Sequence, residues 1–320
     1  WISFNVYQDD MSIENVFSSI AIPNDGWETV SFIKSQLDGA STWYETFGWF
    51  GSLATIENET MYQLQMVGPA TLIFTGTPVI PSETPIELAS NWNWIGYLPQ
   101  NALDITTALG SIAIPNDGNA NVSFIKSQLD GASTWYETFG WFGSLAELAP
   151  TKGYQLKMNT PDVLFYPDDI GLASSDAQID NNLERNNIQD LLGWNFNPRD
   201  YEFNATVTFS IPNTEGNEDD LLAAFVDGEV RGVAERLYFP FGDSYIYIMQ
   251  IYSNEIYGDQ LNFKLYDSAS GEIIRYTESM IFEHDMVIGD GFASFELEET
   301  VDSIIPSESI LGQAYPNPFN

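Results

Sequence analysis

Apolar residues recur along this chain with two different periods. Ile2, Phe4 and Val6 alternate with small or polar positions, the pattern of a half-buried strand. Ile13, Val16, Phe17 and Ile20 then fall at i, i+3, i+4 and i+7, which predicts one face of a short helix. Ile105, Ala108, Leu109 and Ile112 hold the same phase further on, so two stretches support one helix assignment. After each helix come a turn (Pro23-Asn-Asp-Gly26 or Pro115-Asn-Asp-Gly118), a strand at Val30 to Ile33, an aromatic hairpin at Trp43 to Leu53, and a strand carrying Tyr62, Leu64 and Met66.

The two sets of elements are a duplication. Ser31 to Ala54 reads SFIKSQLDGASTWYETFGWFGSLA, and the same 24 residues return as Ser123 to Ala146, 92 positions later. Ser19 to Gly26 returns as Ser111 to Gly118, Tyr62-Gln-Leu-x-Met66 as Tyr154 to Met158, and Trp1-Ile2 as Trp94-Ile95 after a one-residue slip. Repetition at a fixed period points to tandem modules. The prolines at 78, 81 and 85 mark the boundary between them.

From Asn197 the pattern becomes plain alternation. Phe203, Ala205, Val207, Phe209 and Ile211 share one face, with Asn204, Thr206, Thr208 and Ser210 on the other. Ala223 to Val226 and Glu229 to Ala234 flank Asp227-Gly228, a strong hairpin signal. Further strands at Tyr245 to Tyr252, Leu261 to Tyr266, Ile273 to Tyr276 and Phe292 to Leu297 predict an antiparallel sandwich. The fold class is therefore mainly β. Two tandem β-rich repeats (residues 1–90 and 91–167), each with one short helix, precede a polar linker (168–196), an immunoglobulin-like β-sandwich (197–300) and a terminal stretch (301–320).

Composition narrows the partners. Forty-six acidic against 10 basic residues give a formal charge of −36, which excludes nucleic acid and bare anionic membrane surfaces. No apolar run approaches the roughly 20 residues needed to cross a bilayer, so direct membrane insertion is not expected. With no cysteine, packing and hydrogen bonds must hold the fold without disulfides. The opening at Trp1 in mid-strand reads as a mature or trimmed fragment.

Two segments carry resemblances. Ile310-Leu-Gly-Gln-Ala-Tyr-Pro-Asn-Pro-Phe-Asn320 resembles the start of the C-terminal sorting domain of type IX secretion cargo, which implies export to the bacterial cell surface. Asp219 to Ala234, with Tyr252-Ser-Asn254, is similar to immunoglobulin-like sandwiches of multidomain surface proteins from such bacteria, and the repeats look like modules that accompany them. These resemblances imply no catalytic residue. Asp267-Ser268-Ala269 and Asp302-Ser303-Ile304 resemble the Asp-Ser/Thr-aliphatic O-glycosylation pattern of the same setting, which makes Ser268 and Ser303 candidate acceptors.

Catalytic chemistry is thin. The lone histidine, His284, cannot make a two-histidine metal site, and no nucleophile elbow, P-loop or dinucleotide fingerprint occurs. No enzyme activity is expected. The aromatic block is the better candidate surface: Trp43, Tyr44, Phe47, Trp49 and Phe50, with the copies Trp135, Tyr136, Phe139, Trp141 and Phe142. Such rings fill a small core, form the dry centre of a protein contact, or stack on sugar faces, and the sequence leaves all three open. No cofactor is required. Calcium is the candidate ion, with Asp219 and Asp220 the preferred acid pair although no EF-hand loop is present. The expectation is a secreted cell-surface structural or adhesive protein, a repeating subunit of an extracellular fibre, sheath or stalk. Its partners would be further copies of itself or other cell-surface components. The alternative is a glycan-binding accessory module of a larger secreted protein.

Overall fold

The computed structural model describes residues 1–20, 30–45, 48–113, 121–168, 188–212, 216–240 and 242–298. The two Pro-Asn-Asp-Gly turns, Phe47, Ser303 and the segment resembling a sorting domain lie outside them. The chain is mainly β and divides into two compact units, Trp1–Ile179 and Asp180–Asn320. Among the described residues no helix is long and apolar enough to cross a membrane.

The first unit holds both repeats. In the first repeat, α1 (Ile13–Val16) precedes β1 (Val30–Lys34), β2 (Ala40–Tyr44), β3 (Gly48–Gly51) and β4 (Gln63–Met66), which form an antiparallel sheet in the order β3-β2-β1-β4. Strand pairing in the second repeat reaches back to Ile86. β5 (Ile86–Leu88) and β6 (Asn91–Ile95) lead into α2 (Ile105–Ala108), β7 (Val122–Lys126), β8 (Ala132–Tyr136), β9 (Gly140–Gly143), β10 (Tyr154–Met158) and β11 (Asp162–Leu164). Its sheet runs β9-β8-β7-β10-β6, one strand wider than its sister, and β5 pairs separately with β11.

Each helix is a single capped turn. Ser12 and Asp104 accept the N–H of Asn15 and Thr107 at 3.4 and 3.0 Å, as N-caps do. The face predicted by spacing is the buried one: Ile13, Val16, Phe17 and Ile20 enter the first core, and Ile105, Ala108, Leu109 and Ile112 the second. So short a helix cannot stand alone, and this apolar face, packed under the sheet, supplies its stability. Tyr62 and Tyr154 are buried in the same two cores. Their buried hydroxyls accept the N–H of Glu57 and Ala149 at 2.7 and 2.8 Å.

The two repeats meet reciprocally. Ile2 bridges Lys152, and its counterpart Ile95 bridges Thr60, the counterpart of Lys152. Ser3 donates its N–H to Thr151 at 3.0 Å, and Gly96 donates to Glu59 at 2.9 Å. The main-chain nitrogen of Trp1 donates to the side-chain oxygen of Gln128, and that of Trp94 to Gln36. Each contact recurs with the partners exchanged, so a local two-fold relates the repeats and their junction closes on itself. It is not the open head-to-tail stack of a solenoid.

In the second unit the expected sandwich takes the form of one curled sheet. β12 (Phe203–Ser210), β13 (Leu221–Val226), β14 (Glu229–Phe239), β15 (Ser244–Ser253), β16 (Tyr257–Asp267), β17 (Glu272–Glu283), β18 (Val287–Ile288) and β19 (Phe295–Glu296) form it in the order β17-β16-β13-β14-β15-β12-β18, with β19 also on β12. The long β14 turns the corner, pairing with β13 through Glu229 to Glu235 and with β15 through Arg236 to Phe239. All pairings are antiparallel except the two short ones of β12 with β18 and β19. Asp227 (φ 51°) and Gly228 (φ 89°) both have positive φ, the backbone a two-residue type I′ hairpin turn requires.

Leu222, Ala224 and Val226 of β13 face Val207, Phe209, Met249 and Phe263 inside the curl. The other face, Leu221, Ala223 and Phe225, is covered by Trp194 with Ile188, Leu192 and Phe196 packed around it. Burial on both faces explains why Leu-Leu-Ala-Ala-Phe-Val shows no alternation. The end of the stretch read as a polar linker thus contributes a second, smaller core.

Candidate functional site

The identical aromatic blocks fold as the hairpins β2–β3 and β8–β9. Trp43 lies directly across from Trp49, and Trp135 from Trp141. Their rings meet edge to face at 5.6 and 5.5 Å, a favourable cross-strand geometry. One indole of each pair belongs to a core: Trp49 and Trp135 are each 9% exposed. Trp49 also packs edge-on against Phe17 of the helical face at 5.5 Å. Trp43 and Trp141 are half-buried against the same cores.

A left-handed glycine opens the second strand of each hairpin. Gly48 has φ 79°, and a Cβ there would stand 3.3 Å from the Trp43 ring; Gly140 has φ 86°, with Trp135 at 3.2 Å. Both the backbone conformation and the ring packed over it select glycine. The Nε1 atoms of Trp49, Trp135 and Trp141 are buried without a hydrogen-bond partner. The tryptophans are therefore held by shape and ring contacts, and the pairs are chiefly structural.

The outward rings are different residues. Tyr44 is 42% exposed and Phe50, the last ring of the block, is 69% exposed. Tyr44 pairs with Gly48 and Thr42 with Phe50, so both rings share the hairpin face opposite the tryptophan pair. In the second repeat Tyr136 stacks on Phe139 at 4.6 Å, and both it and Phe142 are half-buried. One sequence thus presents two differently covered surfaces. The alternation within the hairpin, with Trp inward and Tyr or Phe outward, is the signal that separates structural from surface rings.

A cleft of about 580 Å³ opens where the repeats join, lined by Asp38, Glu57, Glu59, Glu87 and Trp94 among others. Partial burial pushes the Glu57 carboxyl up from its ordinary value, and the nearby Asp38 and Glu59 carboxylates push it the same way. Among the described residues no group of three or more His, Cys, Asp or Glu is placed to hold a metal ion.

The acid pair proposed for calcium points in two directions. Asp219 is exposed, whereas Asp220 is only 1% exposed. One Asp220 oxygen accepts the N–H and the hydroxyl of Ser268 at 2.9 and 2.8 Å, and the other accepts the N–H of Asn217 at 2.7 Å. Asp220 therefore ties the turn before β13 to the end of β16. The same bond holds the Ser268 hydroxyl, the candidate glycan acceptor, in a half-buried position. His284 sits half out in solvent, 3.4 Å from Asp285. No family model, curated protein or solved structure matches this chain.

Proposed function

We propose that this chain is a structural or adhesive subunit of the bacterial cell exterior, contributing to a fibre, sheath or stalk. The observation that carries the reading is the closed pairing of two repeats that share an identical block of 24 residues. A junction that satisfies itself leaves the outward hairpin faces and sheet edges for other molecules, so one unit offers two related contact surfaces. Two linked surfaces cross-link partners and gain avidity over one. The large negative charge keeps such a subunit soluble at low salt and lets it assemble once ions screen the repulsion. The segment Ile310 to Asn320, with its resemblance to a type IX sorting signal, supports an extracellular location.

Electron microscopy of cell-derived material, with sedimentation of the purified chain across salt and calcium concentrations, tests this. Ordered filaments or sheets are expected. A monodisperse monomer at every concentration and salt, together with featureless native material, would refute the proposal.

The second reading, a glycan-binding module, is favoured by the exposed Tyr44 and Phe50 rings. Glycan retention that disappears in Tyr44→Ala/Phe50→Ala while the fold and assembly persist would select it. Those two outward rings test the surface better than Trp43 and Trp135, whose removal opens the cores.

A further inference from the structure

The duplicated block acts as an internal control, because the same residues sit in two surroundings. Lys126 is 0% exposed, whereas its twin Lys34 is only half-buried. Phe124, Leu156, Met158 and Leu164 are buried, whereas their counterparts Phe32, Leu64, Met66 and Leu72 are not fully covered. These differences gather at the β4 side of the first sheet and the β10 side of the second, on both faces. In the second repeat that side is closed by residues 86–93. β5 pairs with β11, β6 pairs with β10, and Trp92 packs edge-on against Phe124 at 6.0 Å. The ammonium groups of Lys126 and Lys157 lie over the Trp92 ring at 5.0 and 5.6 Å. The corner between the two strands is tied by Asn93, whose side-chain oxygen accepts from Ala89 N–H at 2.9 Å while its amide donates to the Ala89 carbonyl at 2.8 Å.

In the first repeat the described residues carry the end of this arrangement. Ile2 and Tyr62 exchange both main-chain hydrogen bonds, at 2.9 and 2.8 Å, as the start of an antiparallel ladder. The alternation of such a ladder turns the N–H and C=O of Leu64 and Met66 toward the same open edge. Among the described residues no strand pairs with that edge of β4.

We infer that the outer edge of β4 is an acceptor site for one more strand, and that its occupant is a leading segment of the same repeat type, with the chemistry of Ile86-Glu-Leu-Ala-Ser-Asn-Trp-Asn93. Its tryptophan seats over Phe32, Lys34 and Gln65, the counterparts of Phe124, Lys126 and Lys157. Its two asparagines fall opposite Leu64 and Met66. Its aliphatic start pairs with residues 70–72 and covers Leu72 and Phe74, as β5 covers Leu164. The local two-fold adds one contact. Gln36 donates its amide to the Trp92 carbonyl at 2.8 Å, so the incoming tryptophan presents its carbonyl to Gln128. Recognition is by strand addition, in which the ladder gives affinity and the aromatic pocket gives specificity.

The inference rests on the structural reading above only in making a neighbouring chain a source of this strand. The test is hydrogen exchange across residues 63–66 of the whole chain, with the octapeptide of residues 86–93 added free or fused directly ahead of Trp1. Protection of the Leu64 and Met66 amides should rise about tenfold or more. A peptide carrying Trp92→Ala should lose most of that effect, with no change at residues 154–158, whose edge is already paired. Protection by the free peptide supports the site and a supply from another molecule. Protection by the fused segment alone supports the site but assigns assembly to other surfaces. No added protection from the fused segment overturns the inference, whether or not the chain forms filaments.

Discussion

At the scale of single residues, a few side chains hold positions that no similar residue can take. Gly48 and Gly140 combine a left-handed backbone with a tryptophan ring lying over the Cα. Gly140→Ala should therefore cost about 1–3 kcal/mol, the range for a strained non-glycine conformation, read as a lower denaturation midpoint. Asp220 is buried and engages Ser268 and Asn217 through both oxygens. Asp220→Ala leaves those donors without their acceptor and is expected to lower stability by about 2–4 kcal/mol, with calcium having no rescuing effect on its denaturation curve. Stabilisation of the parent chain by calcium that vanishes in this variant would restore Asp220 as a ligand. The sequence marked Asp219-Asp220 as a unit. Only burial shows that one faces solvent and the other pins two loops.

At the scale of elements, the junction between repeats depends on two backbones approaching closely. Gly96 lies against the Asn58 carbonyl, and Gly153 against Met61, so that a Cβ at either place would overlap its neighbour. Gly96→Ala should force the repeats apart and destabilise the first unit by about 1–3 kcal/mol, as overpacking does. Faster hydrogen exchange at Tyr62 and Lys152 is the measurement, and unchanged rates would show that the junction contributes little. The counterpart of Gly96 is Ser3, whose hydroxyl instead donates to Lys152 and accepts from Tyr97 N–H. Equal elements in the sequence thus diverge where they meet. The hairpins, both helical faces and the Asp227-Gly228 turn were legible because each depends on local periodicity or turn chemistry. The reciprocal pairing was not, because it joins residues about 35 to 150 positions apart.

Across the whole molecule, charge and buried phenols set the response to solution conditions. Burial pushes Tyr62, Tyr154, Tyr166 and Tyr247 above the ordinary phenol value of 10.0. A group whose folded value is raised lends its stability in full below the unfolded value and loses it as pH rises beyond that. Stability should therefore fall from about pH 10 upward, and the buried phenols should ionise together with unfolding when absorbance and circular dichroism are followed in parallel. Smooth titration of all tyrosines in a chain that remains folded would contradict this. With a formal charge of −36, the melting temperature should rise as sodium chloride increases from about 10 to 500 mM, since the Debye length falls from about 30 Å to a few ångströms. A flat dependence would mean that the charges are too widely dispersed to strain the fold.

The sequence by itself determined the mainly β class, the duplication, the helical faces and the alternation of the aromatic hairpins. Each of these depends on neighbours a few residues apart, and local spacing records such relations directly. The tertiary structure alone decided which tryptophans are core, that Asp220 is a tie between loops, and that β13 is buried on both faces. It also decided that two copies of one sequence close on each other while one sheet carries an extra strand. Those outcomes depend on what a distant segment places against each residue, and identical residues in the two repeats take different burial for that reason alone.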